Sequence, residues 1–252
     1  MGEIGPELWV LWGVSLATSV VSAILGMAGG ILLLAVMLLY LDPVIAIPVH
    51  AIAQLASNTS RSLAHWRSIR RDLVLPYLVL LLPAGLLSIP LTRHAPPDLL
   101  RALIGVFVLI ATWRREWLLL GLHPETVPLG LRFTLVGGLA GLLGPVVGAT
   151  GPFIAPFFLG LGLGRFELIG TMAACQATGH LAKIGLFGAG GFAFGRHAPL
   201  YLGMILAVVA GTALGTRILG FIPEQRFAAI FKAALTLLAL RLIAAGLPIA
   251  LD

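Results

Sequence analysis

GATGPFIAPFFLGLGLGRFELIGTMAACQATGHLAK, residues Gly148–Lys183, is one copy of a plan that the chain uses twice. The other copy is GMAGGILLLAVMLLYLDPVIAIPVHAIAQLASNTSR, residues Gly26–Arg61. Laid over each other without a gap, they put Gly26 on Gly148, Gly29 on Gly151, Gln54 on Gln176, Asn58 on His180 and Arg61 on Lys183. Each copy has a glycine-rich break, an apolar run, and an apolar helix bearing an amide, a second polar side chain and a cation. Glycine breaks and polar side chains are costly in hydrocarbon, so a chain that keeps them at matching places in both halves is expected to use them.

Composition sets the solvent. Of 252 residues, 59% are hydrophobic and 10% are charged, whereas a soluble domain carries about 25% charged residues. Such a chain cannot cover a water-facing surface. Apolar runs near the roughly 20 residues needed to cross a bilayer recur along its length, so the expected fold is an all-α, multi-pass integral membrane protein forming one domain over residues 1–252. Its two homologous repeats, of about five helical segments each, are expected at 8–115 and 131–247, with a linker at 116–130. A net charge of +6 would suggest nucleic acid in a soluble protein. Here the arginines cluster in short loops between apolar segments and read as topology determinants. The single Cys175 excludes an intramolecular disulfide and reads as a small packed side chain. Met1–Pro6 lacks basic residues and carries Glu3, with Glu7 just beyond, which argues against a cleaved signal peptide.

In chain order, a first segment over residues 8–25 ends at Gly26-Met27-Ala28-Gly29-Gly30, where glycines let a helix break or another backbone approach. A short second segment stops at Asp42-Pro43, with Asp42 expected to cap the third helix. On that helix His50, Gln54, Asn58, Arg61 and His65 fall within an arc of roughly 80° at about 100° per residue. Arg67, Arg70 and Arg71 follow in the most basic short loop, which is cytoplasmic by the positive-inside rule. Pro76, Pro83 and Pro90 are expected to kink the fourth segment. After a fifth segment ending at Trp113, the run 117–122 is expected at the interface. The second half opens with a segment over residues 131–143, then Gly144-Pro145 and the second break, with Pro152 where Gly30 stood. Its stripe reads Thr171, Gln176, His180 and Lys183. No charge follows Lys183 until Arg196, so a snorkelling role for it lacks a nearby polar boundary. Lys232 and Arg241 in the last segment read as snorkelling residues.

Five segments per half, an odd number, would invert the second half in the membrane. The loop arginines divide more unevenly when every segment spans than when the second and seventh re-enter, which modestly favours inverted repeats. In such a plan the half-helices starting at Gly26, Gly29, Gly30, Gly148 and Gly151 aim N–H groups inward. With Arg61 and Lys183 they make an anion site. Asp42 and Glu167 stand at segment ends, so few carboxylates remain for a cation path.

These residues resemble the sulfite exporter TauE/SafE family of membrane permeases. The resemblance rests on the Gly26–Gly30 break, on Gly148-Ala149-Thr150-Gly151-Pro152 with Pro156, and on Ile169-Gly170-Thr171, which looks like that family's Gly-Thr-Ser element. Pro48-Val49-His50 stands where the first half would carry its counterpart and adds a proton-sensitive group. The resemblance implies transport of small sulfur-containing anions such as sulfite, sulfoacetate and other organosulfonates.

The expected protein is therefore a secondary transporter in the cell membrane, working by alternating access and using no cofactor or metal. Its partners are a small anion and the bilayer, not nucleic acid, and it could assemble as a homo-oligomer. The expected substrate-binding residues are His50, Gln54, Asn58, Arg61, Thr171, Gln176, His180 and Lys183. A passive anion channel would use the same chemistry, and a non-transporting subunit of a membrane complex would use none of it. His50, His65 and His180 without an adjacent carboxylate make a poor zinc site, so an intramembrane enzyme is disfavoured.

Overall fold

The computed structural model describes residues 6–25, 29–120, 127–158, 161–218 and 224–247, and among them it has ten α-helices and no strand. The first half holds α1 (Pro6–Leu25), α2 (Gly29–Tyr40), α3 (Pro43–Ala64), α4 (Arg71–His94) and α5 (Pro97–Trp113). The second holds α6 (Leu129–Val147), α7 (Gly151–Phe158), α8 (Arg165–Ala189), α9 (Ala198–Ile218) and α10 (Glu224–Gly246). Gly26, Met27 and Ala28, on which the first break was read, lie outside the described residues, as does Leu122. Of the interfacial run, Arg115–Leu119 forms a 3-10 segment, with Leu118 buried and Trp117 and Leu120 exposed.

Burial is reversed relative to a water-soluble protein. Leu87 and Leu206 are 74% and 73% exposed, while Arg61 and Lys183 are 4% and 2% exposed. Leucines outside and cations inside are stable when the surroundings are hydrocarbon. Among the described residues Arg71–Pro90, Leu129–Val147 and Phe194–Arg217 are long and apolar enough to cross a membrane. The molecule is an integral membrane protein. At about 1.5 Å per residue, the 12 residues of α2 and the 8 of α7 reach only about 18 and 12 Å, short of the roughly 30 Å hydrocarbon layer. Both are half-helices.

Two local expectations are corrected. Asp42 precedes α3 but makes no side-chain cap bond. Its carboxylate instead takes Arg101 Nη2 at 2.5 Å, and the same guanidinium holds Asp98 at 2.8 Å, a charge-assisted pairing stronger than a bond to a neutral N–H. The helix expected to end at Leu143 runs on through Pro145 to Val147. A proline removes one helical N–H, and α6 still closes two residues later with the C-cap Gly148 N–H on the Gly144 carbonyl at 2.9 Å. The fourth segment, α4, is one helix with Pro76, Pro83 and Pro90 inside it.

Without a hydrophobic force between helices in lipid, close backbone approach decides which helices pair. The main partners are α4 with α6, α1 with α9, α5 with α10 and α3 with α8. Gly137 and Gly141 let α6 touch the Tyr77 and Leu81 carbonyls of α4, and Gly211 and Gly215 do the same for α9 against Leu16 and Val20 of α1. A methyl at these glycines would overlap backbone. Cys175 is fully buried in the apolar cluster between α4, α6, α7 and α8. Lys232 and Arg241 are exposed, with the Lys232 ammonium 5.6 Å from the Trp113 ring centre.

Candidate functional site

The two helices that carry the stripes, α3 and α8, cross antiparallel. His50 meets His180 with ring centroids 5.8 Å apart at 71°, and near one end His65 stacks on Phe166 at 5.2 Å. Where they cross, the starts of α2 and α7 close around a cavity of about 10 Å³ lined by Gly30, His50, Gln54, Thr150, Gln176 and His180. That is room for about one water molecule, so the site is shut. None of its five lining side chains named here is more than 5% exposed.

The lining is rich in buried polar atoms that the protein itself leaves unused. His50 Nδ1, Thr150 Oγ1, Gln176 Nε2 and His180 Nδ1 have no hydrogen-bond partner within the protein. A buried polar atom without a partner costs about 1–3 kcal/mol, and these four belong to residues lining one small cavity, where a water or a bound ligand would satisfy them. His50 Nε2 lies 2.8 Å from the Gly30 carbonyl, which fixes the ring against the start of α2. Gly30 is needed there for space, since a β-carbon would lie 2.7 Å from Gln54 Oε1. Gly30→Ala is accordingly expected to push the flexible Gln54 amide aside, keeping the fold and weakening anion binding about tenfold or more, measured by titration calorimetry.

Two buried cations flank this region on the same helices, Lys183 on α8 and Arg61 on α3, and neither lines the cavity itself. One turn beyond His180, the Lys183 ammonium donates to the Gly148 carbonyl, and its stem runs beside Gly144. Gly148 has φ +79°, the left-handed region that glycine enters without strain, and this turn aims its carbonyl at the lysine. Because the helices are antiparallel, Arg61 lies beyond Gln54 in the other direction. Its guanidinium donates to Asn58 Oδ1 at 2.6 Å and to the Ser22 carbonyl of α1 at 3.3 Å, while Asn58 Nδ2 donates to the Gln54 carbonyl at 2.8 Å. Asn58 therefore braces Arg61 and does not line the cavity. No aspartate or glutamate with a described side chain is buried, so the electrostatics of this region favour a negative occupant.

Thr171 stands apart from this group. Its hydroxyl accepts the Arg70 backbone N–H at 3.0 Å and ties the basic loop to α8. Thr150, which the stripe reading passed over, lines the cavity. Its signal lay in the break itself, a hydroxyl just ahead of a helix start, and its carbonyl rather than its hydroxyl takes the first-turn N–H groups of Phe153 and Ile154 at 3.0 Å. Gly151 opens α7 in the cavity wall, and Gly29 packs against the Thr18 carbonyl of α1. Gly26 lies outside the described residues. Among the described residues no three His, Cys, Asp or Glu side chains gather at one point.

A larger cavity of about 450 Å³ adjoins the N-terminal end of α3 and the C-terminal end of α8, walled by Ile47, Pro145, Leu186 and Phe192 with Arg196 and His197. Ile47 is one turn from His50, and Leu186 one turn from Lys183. Ile47 and Leu186 thus line the larger cavity one turn along α3 and α8 from His50 and Lys183.

The family model described as sulfite exporter TauE/SafE matches residues 11–242 of the chain. No curated protein and no solved structure matches it.

Proposed function

The chain belongs to the sulfite exporter TauE/SafE family, and from that premise we propose that it is a permease carrying a small sulfur oxyanion or organosulfonate across the cell membrane by alternating access. The observation that carries this reading is the small buried cavity whose lining residues hold four unpartnered polar atoms, with Lys183 and Arg61 buried farther along the same two helices. Thr150 and Gln176 donate hydrogen bonds to the anion, Gln54 and the histidines orient it, and Lys183 and Arg61 supply charge. A tetrahedral or pyramidal anion needs several donors and a positive surrounding.

Inverted repeats at 8–115 and 131–247 give this site its position midway between two faces. In favour of that arrangement, exchanging each helix with the one five places on returns the same pairings: α4 with α6 becomes α9 with α1, while α3 with α8 and α5 with α10 exchange with themselves. With the Arg67–Arg71 loop on the cytoplasmic side, the larger cavity opens to the opposite side. Its apolar wall of Ile47, Pro145 and Leu186 acts as the gate that moves. A passive anion channel would use the same chemistry, and concentrative uptake under a gradient separates the two.

The test is anion binding by thermal shift and calorimetry on detergent-purified protein, followed by uptake into proteoliposomes. The panel holds sulfite, sulfate, sulfoacetate, taurine, acetate and phosphate. Saturable binding and concentrative uptake of a sulfur oxyanion or sulfonate is expected. Binding of none of the six would sink the transport reading and return the polar side chains to helix packing.

A further inference from the structure

The anion site carries a group that anion binding by itself does not use. The Gly30 carbonyl has lone pairs and no hydrogen, so at 2.8 Å His50 Nε2 must be the donor. A ring whose proton sits on Nε2 has a bare lone pair at Nδ1. That nitrogen is fully buried, belongs to a residue lining the cavity, and has no partner within the protein. The oxygens of an ionised sulfonate or oxyanion also offer lone pairs alone. Lone pair facing lone pair in a cavity this small is repulsive, so contact between the anion and Nδ1 requires a hydrogen between them.

We propose that the anion is carried together with one proton held at His50 Nδ1, which makes this permease a proton-coupled anion carrier. This rests on the anion-transport reading above. The step balances as one anion and one proton entering from the same side, with the imidazole becoming imidazolium, donating Nε2–H to Gly30 and Nδ1–H to the anion, and returning to its starting form when both leave. The bound anion supplies the negative charge that lets a cationic ring exist beside Lys183. Without an anion, a third positive charge in the site is opposed by its neighbours; without the proton, the anion loses a donor. Each ligand favours the other, and that reciprocity is what coupling requires.

The groups facing His50 are few. From α8 they are His180, at 5.8 Å between ring centroids, and Lys183. From α2 comes the Gly30 carbonyl, and ahead of α7 the Thr150 hydroxyl; Arg61 lies three turns along its own helix. Among the described residues α1, α5, α9 and the Phe194–His197 segment also pack on α3, and none contributes to the lining; Arg196 and His197 of that segment line the larger cavity instead. His180 also has an unused Nδ1 but stands one turn from Lys183 on the same helix. The Gly30 carbonyl on Nε2 is what assigns the proton to Nδ1 of His50.

The experiment is titration calorimetry of the full-length purified protein with methanesulfonate, which stays ionised at every pH the protein survives. Sulfite, with its own protonation subtracted, replaces it if methanesulfonate does not bind. Each titration is run at one pH in two buffers of different ionisation enthalpy, so that the difference in heat counts protons. Close to one proton taken up per anion is expected, with affinity falling up to about tenfold per pH unit as pH rises. His50→Gln keeps a side chain able to donate to Gly30 and cannot take the proton. It is expected to bind with uptake reduced to a small fraction and a flat pH profile. Anion binding with no proton uptake in the wild-type protein, or uptake undiminished in H50Q, overturns the coupling and leaves anion transport standing. No anion binding at all overturns both. If H50Q does not fold, the same proton count on H180Q and K183Q decides: uptake kept in both supports His50, and uptake lost in either places the proton there and overturns the assignment.

Discussion

Lys183→Gln is expected to weaken anion binding by roughly 30-fold to several thousand-fold. Removing one partner of a buried, hydrogen-bonded charge pair costs about 2–5 kcal/mol, and 1.4 kcal/mol is a factor of ten in affinity. The lysine is 2% exposed and no described carboxylate is buried with it. Its ammonium therefore meets no screening by water and no competing intramolecular anion. Its bond to the Gly148 carbonyl is to a neutral acceptor, which an anion outbids. Glutamine keeps a donor for Gly148, so the turn ahead of α7 survives and the loss is one of charge. Calorimetry measures the affinity, and gel filtration with a melting curve reports the fold. Binding unchanged in a folded K183Q protein would remove the lysine from the site. Uptake into proteoliposomes is expected to fall in parallel.

Gly137→Ala is expected to destabilise the molecule without touching the cavity. On α6 a β-carbon at this position overlaps the Tyr77 carbonyl of α4, and backbone, unlike a side-chain tip, cannot swing aside. The helices must separate along a seam that also includes Gly141 against Leu81. Overpacking costs about 1–3 kcal/mol, and for a chain of this size each kcal/mol lowers the melting temperature by roughly 2–4 °C. A drop of about 2–12 °C is therefore expected, larger still for the double variant with Gly141→Ala. Gly130→Ala is the control, since a methyl there meets nothing within 4 Å. Equal melting of G137A and G130A would mean that the α4–α6 seam does not hold the helices at this spacing.

The two variants divide the glycines by what they do. Gly137 and Gly141 set how closely helices approach, whereas Gly30 and Gly148 shape the site, one by leaving space for Gln54 and the other by taking a backbone angle that other residues resist. In sequence all four look alike. A glycine records that a side chain is absent and not what occupies its place, and that depends on a segment far along the chain.

What the chain determines by itself is whatever composition and local period decide. Fifty-nine per cent hydrophobic residues with 10% charged dictate a hydrocarbon solvent, because no arrangement of so few charges covers a surface in water. The repeat of break, apolar run and polar stripe places Gln54 and Gln176, His180, and Arg61 and Lys183 at matching points. The 3.6-residue period puts His50 on the same face as Gln54, because face membership is a property of one helix alone. Tertiary structure decides which face meets which. The antiparallel crossing of α3 and α8 brings His50 to His180 and carries Thr171 away to Arg70. The start of α7 delivers Thr150 to the same point from outside either stripe. It also turns Asn58 from a candidate ligand into the brace of Arg61, and Asp42 from a helix cap into the partner of Arg101. Each of these choices is a competition between a local hydrogen bond and a stronger or better-placed group on another helix. The identity of that group is fixed by how backbones pack, so it cannot be read from the residue's own neighbours in the chain.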